Sequence, residues 1–160
     1  MLILKIYYRI MCTIKKVFYK IIYGKKIKFG RKVHFRKGFS LMIEEGANVE
    51  IGDGTFFNNH CSINAQDFIK IGKNCLFGEN VKIYDHNHVF KYRDKLIKEQ
   101  GFKSDKVVIK DNCWVGSNVV ILKGTSIGAN SVIGACEKIN TAIEENKICI
   151  DSKISDIRME

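Results

Sequence analysis

Residues 109–139 read IKDNCWVGSNVVILKGTSIGANSVIGACEKI, and their apolar side chains keep one spacing: Ile109, Val115, Ile121, Ile127, Ile133 and Ile139 are each six apart. Gly116, Gly128 and Gly134 each follow a member of that series. A period of six matches neither the 3.6-residue repeat of an α-helix nor the two-residue alternation of a long strand. It suits short strands separated by corners, three hexads to a triangular coil, stacked as a parallel β-helix. The apolar residue of each hexad then points inward, while Gly, Asn or Asp at the corners take backbone conformations that bulkier residues avoid.

Upstream, Ile51, Phe57, Ile63, Ile69, Cys75 and Val81 keep the same spacing, and Ile27, Val33 and Phe39 form a shorter set with Lys-rich and Arg-rich spacers. With 46% of residues apolar, six successive hits arise by chance in roughly one start in a hundred, and two such series occur. Between Ile83 and Val107 the register is lost, which predicts a loop leaving the coil over about 84–106. The period alone does not fix handedness, since crossovers between parallel strands are ordinarily right-handed.

Before the repeats, Ile3, Ile6, Tyr7, Ile10, Ile14, Val17, Phe18, Ile21 and Ile22 recur at spacings of three and four, as on one face of a helix. Lys5, Arg9, Lys15, Lys16 and Lys20 interrupt them. No apolar run approaches the ~20 residues of a membrane span or forms a secretory core. The expected organisation is an amphipathic helix over 1–23 and one β-helix domain over 24–160. The helix has two compatible roles: a cap on the end of the coil, or a peripheral contact with an anionic membrane.

The six cysteines form no CxxC pair and no cluster, so neither a zinc ribbon nor a thioredoxin-like motif is readable. They read as reduced thiols of a cytoplasmic protein, at most peripheral at the inner face of the cytoplasmic membrane. Cys61, Cys75 and Cys113 fall where the repeat wants a small apolar side chain. A formal charge of +10 points to phosphate-bearing small molecules or an anionic membrane surface. No nucleic-acid-binding signature accompanies it, so no nucleic-acid partner is expected.

The interruption carries Tyr84-Asp85-His86-Asn87-His88-Val89-Phe90. A hydroxyl is a weak nucleophile near neutral pH, and histidine is suited to remove its proton. Asp85 or a backbone carbonyl can hold the imidazole in the needed tautomer. A His-x-His pair also suits a plain surface loop or a metal, and the residues alone leave these open. His34 and His60 have no partner nearby in sequence and read as surface or structural.

The stretch from about Ile43 to Ile139 resembles the hexapeptide acetyltransferases, in particular the galactoside, maltose and capsule-polysaccharide O-acetyltransferases. The resemblance rests on Ile71–Val81 (IGKNCLFGENV), Asp85–His88, Ile109–Ser117 and Ile127–Ala135. It implies an all-β fold, a left-handed parallel β-helix of hexapeptide repeats with an N-terminal α-helix and one long inserted loop. It further implies a homotrimer with sites between subunits, acetyl-CoA as co-substrate without a metal, and O-acetylation of a sugar hydroxyl, as on a bacterial surface polysaccharide or its precursor. By position, the catalytic base corresponds to His88, with His86 second. Trp114 falls along the acyl-CoA arm, Ser117 and Ala135 line the same channel, and Asn58 and Asp85 fall to the acceptor side. The family's Gly-Asn-Pro-Ala-Lys-like closing turn is replaced by Cys149–Ile154, and the chain has no proline. Lys153 or Lys138 is left to meet the CoA phosphates.

Three other readings remain at this level. One is N-acetylation of an amino or nucleotide sugar. Another is a metal-binding β-helix resembling the γ-class carbonic anhydrases, and the third is a non-catalytic scaffold.

Overall fold

In the computed structural model, which describes residues 2–157, the period of six becomes a three-faced parallel β-helix of about six coils. The first face stacks Ile27–Phe29, Asn48–Ile51, Phe68–Ile71, Val107–Ile109, Ser126–Ile127 and Ala142–Ile143. The second stacks His34–Phe35, Phe56–Phe57, Leu76–Phe77, Trp114–Val115, Val132–Ile133 and Lys147–Ile150, and Lys153–Asp156 folds back antiparallel on its end. The third stacks Ser40–Ile43, Ser62–Ala65, Lys82–Tyr84, Val120–Ile121 and Lys138–Ile139.

Every member of the three six-residue series is buried, from Ile27 through Ile139. Aromatic rings fill the first coils: Phe57 stacks on Phe77 at 4.5 Å and leans on Phe39 at 5.1 Å. Further along, the same inward column continues as Val115, Ile133 and Cys149. Cys75 and Cys113 do more than fill space. Each donates its S–H at 3.1 Å to a carbonyl of the next coil, at Lys110 and Gly128, where Thr55 and Ser131 place hydroxyls in the same column. The adjoining Cys113 thiol, and then burial, raise the Cys75 thiol and keep it protonated for that bond.

Two of the three corners are uniform. Asn74, Asn112, Asn130 and Asn146 turn one, and Asn80 and Asn118 the other, all at positive φ. Their side chains form amide ladders such as Asn112 to Asn130 at 2.9 Å and Asn130 to Asn146 at 3.1 Å. Coils pass so closely there that a Cβ on Gly116 would meet the backbone nitrogen of Ala135 at 2.6 Å. The third corner, between the third and first faces, varies in length. Ile51 stacks on Ile71, twenty residues on, whereas Ile109 stacks on Ile127, eighteen on.

The helix Leu2–Tyr23 closes the first coil. Cys12 and Tyr19 are buried against it, the Tyr19 and Tyr23 hydroxyls donate to the carbonyls of Phe39 and Leu41, and the Lys15 and Lys16 amines donate to those of Phe39 and Val33. These groups satisfy first-coil carbonyls that have no preceding coil to donate to them. The apolar stripe read from the sequence is therefore not the capping face. Ile3, Ile10, Ile14, Val17, Phe18 and Ile21 are exposed on the side turned away from the core.

Candidate functional site

The long insertion leaves from the variable corner, immediately after Tyr84. At its root, Asp85 is fully buried and its two carboxylate oxygens accept the N–H groups of Gln66 and Asp67, both at 2.8 Å. These are the residues that lengthen the preceding coil's corner. The insertion then forms a hairpin, His86–His88 pairing antiparallel with Phe102–Ser104, which the Asp105 N–H ties back to the Asp85 carbonyl at 2.8 Å. Further out, the Gln100 side chain accepts from the Tyr92 N–H and donates to the Tyr92 and Lys95 carbonyls.

This arrangement separates the two histidines. His86 Nδ1 lies 3.0 Å from Asp85 Oδ1, its ring is packed edge-on to Phe102 and Tyr84, and only 16% of its side chain is exposed. His88 is exposed, rests against Phe102 at 4.4 Å between ring centroids, and makes no ring hydrogen bond among the described residues. It lines an open recess of about 640 Å³ with Asn87, Phe90, Tyr92, Phe102 and Lys123. An imidazole that is open on a recess and free at both nitrogens can take a proton from a bound hydroxyl. His86, held at Nδ1 by Asp85, keeps an Nε2 able to act as a base, but its ring is enclosed by Tyr84 and Phe102 whereas His88 opens on the recess.

Asp85, expected on the acceptor side, is enclosed and fully engaged, and it lies behind the hairpin rather than in the recess. Asn58 lies at the corner between the second and third faces, where its side-chain oxygen accepts from Arg36 at 3.2 Å. Trp114 stands on the outer surface of the second face, 57% exposed, in an outward column with Phe56, Leu76, Val132 and Ile148. Ser117 and Ala135 follow one above the other at the next corner: a Cβ on Gly78 would meet Ser117, and one on Gly116 would meet Ala135. Lys153 is exposed on the last hairpin, whose turn is held by the buried Glu137 carboxylate through the Ser152 N–H.

Trp114 and Ser117 share one coil, Ala135 lies on the next, and the Lys153 hairpin follows at the end of the second face. The recess at His88 is lined by the hairpin and Lys123, not by Trp114. Phe102, which packs on both histidine rings across the hairpin, and Gln100 and Lys123, which line the same recess, did not stand out in the sequence because only the folded chain brings them beside the histidines. Among the described residues no three His, Cys, Asp or Glu side chains are grouped to hold a metal ion.

The repeats and the coil have counterparts among known proteins. The bacterial transferase hexapeptide model (six repeats) matches residues 106–136, and a hexapeptide repeat of succinyl-transferase matches 68–83. A galactoside O-acetyltransferase of Lactococcus lactis is 34% identical over 103 residues, covering 64% of this chain and 49% of that protein. An Escherichia coli protein named as an O-acetyl transferase of lipopolysaccharide biosynthesis is 30% identical over 131 residues, covering 76% and 66%. The chain thus spans about half to two thirds of the length of the curated relatives it matches. A hexapeptide-repeat acetyltransferase of Vibrio cholerae, solved with acetyl coenzyme A, superposes with a TM-score of 0.73 at 26% identity, covering 88% of this chain and 74% of that one. A maltose O-acetyltransferase of Clostridium difficile superposes at 0.69, with 26% identity and coverage of 87% and 73%. These matches, together with the stacked six-residue coil, place this chain in the hexapeptide-repeat acetyltransferase family, with its left-handed parallel β-helix.

Proposed function

We propose that the protein transfers the acetyl group of acetyl-CoA to a sugar hydroxyl, on a bacterial surface polysaccharide or its precursor. The observation that carries this reading is the split between the histidines: His86 is bound to the buried Asp85, and His88 is left free on the recess. The names of the relatives support the acyl donor and acceptor class.

In this reading the His88 imidazole takes the acceptor's hydroxyl proton as the oxygen attacks the thioester carbonyl. A C–O bond forms, the C–S bond then breaks, and the proton held by His88 passes to the departing thiolate. A backbone N–H in the Trp114–Ser117 segment steadies the oxyanion; that of Ser117 has no acceptor among the described residues. Trp114, Ser117 and Ala135 line the path of the acyl-CoA arm, Lys153 meets its phosphates, and Asn58 contributes on the acceptor side. Asp85 and His86 are positioning residues.

The same reading takes the protein as a homotrimer. Trp114 and His88 belong to different surfaces of one chain, and the outward column around Trp114 presents apolar area suited to a neighbouring copy's hairpin. A panel of sugars, nucleotide sugars and capsule fragments incubated with acetyl-CoA tests the proposal. The expected product gains one acetyl group that mild alkali removes. An alkali-stable amide would establish N-acetylation instead, and the absence of both acetyl-CoA binding and acetylated product would overturn the reading.

A further inference from the structure

We propose that the outward face of the N-terminal helix docks on an anionic lipid bilayer, lying in the interface without crossing it. The helix is 22 residues long, about 33 Å at 1.5 Å per residue. Its inward side already closes the coil through Cys12, Tyr19 and the two lysine amines. The opposite side presents Ile3, Ile10, Ile14, Val17, Phe18 and Ile21, between 53% and 83% exposed. None of these contributes to the cap, and an unbroken apolar stripe on a soluble surface marks a contact.

Charge identifies what that contact is. Residues 1–43 hold twelve Lys and Arg and no Asp or Glu, whereas the remaining chain holds fifteen against seventeen. The whole positive excess therefore sits on the helix and the coil it caps. Arg9 and Lys20 border the stripe, and Lys25 and Lys26 follow the helix. A face that is apolar in the middle and basic around its edge matches the acyl boundary and headgroups of an anionic leaflet. Pairing with a second copy of the same helix would instead press two such basic ends together. No helix among the described residues is long and apolar enough to cross a membrane. In a cyclic trimer the three helices stand at one height along the symmetry axis, which multiplies a weak single contact.

The test is flotation of the full chain with vesicles of phosphatidylcholine alone or with about a quarter phosphatidylglycerol, at low and high salt, none of which reads acetyl transfer. The chain is expected to float with the anionic vesicles on the order of tenfold more than with the neutral ones, and less at high salt. The doubly substituted Ile10→Glu/Phe18→Glu should lose that binding while keeping the wild-type melting temperature. Arg9→Glu/Lys20→Glu should weaken it with the stripe intact. Absence of flotation, or equal flotation of wild type and Ile10→Glu/Phe18→Glu, would overturn the proposal. A wild-type assembly that does not float, but dissociates on the same substitutions, would assign the stripe to a second copy.

Discussion

The Nδ1 atom of His86 sits 3.0 Å from a carboxylate oxygen of Asp85, a fully buried side chain that also holds the N–H groups of Gln66 and Asp67. One carboxylate thus fastens the corner of one coil to the root of the hairpin that carries His88. Replacing Asp85 with Ala leaves the half-buried Gln66 and Asp67 N–H groups without acceptors, and losing charge-assisted bonds of this kind costs about 1.5–3 kcal/mol each. Asp85→Ala is expected to lower the unfolding midpoint and to open residues 86–105 to proteolysis, with the coil digested no faster. Equal protection of the hairpin in both proteins would contradict this linkage.

Trp114 makes a different prediction because it is mostly exposed. Trp114→Ala should leave the stability of the chain within about 1 kcal/mol of wild type. It should weaken acetyl-CoA binding on the order of tenfold, about 1.4 kcal/mol. Calorimetric titration and a thermal melt on the same sample separate the two effects. A large loss of stability with unchanged binding would make it a structural tryptophan.

Phe57 tests the coil itself. Its ring is fully buried between Phe39 and Phe77, so Phe57→Ala should cost about 3–5 kcal/mol, while Phe57→Leu should cost less because more of the volume is kept. The shift in denaturant midpoint measures both.

His34 gives a pH dependence. Burial, with Lys16 and Arg9 nearby, holds its pKa below the usual histidine value. As pH falls through about 6.5, the unfolded chain takes up a proton that the folded chain resists, and stability declines. His34→Gln should flatten that acid-side decline in a series of melts between neutral and mildly acidic pH. An identical slope for the two proteins would remove His34 from the cause.

The spacing of six disclosed the coil because Ile109, Val115 and Ile121 each stack on the residue eighteen further on. It misled slightly in the earlier series. The four-residue strands there have two inward positions, such as Val49 and Ile51, and the longer corner at Gln66–Asp67 shifts the stacking to twenty while the six-residue count continues. Helical spacing in residues 1–23 located a helix but not the face it buries. Tyr and Lys side chains that reach coil-end carbonyls outcompeted the aliphatic stripe for the cap. The histidine pair was legible as chemistry, yet two residues of separation could not say which was free. That depends on a carboxylate pointing inward and on Phe102, sixteen residues beyond His86, crossing the hairpin to pack on both rings.

The most direct test of the central claim is CoA release from acetyl-CoA in the presence of a competent sugar acceptor, compared among wild type, His88→Ala and His86→Ala. The account predicts a loss on the order of a hundredfold or more in His88→Ala with acetyl-CoA binding retained, and a smaller loss in His86→Ala accompanied by a loosened hairpin. Full activity in His88→Ala, or a loss confined to His86→Ala with the hairpin still protected, would contradict it.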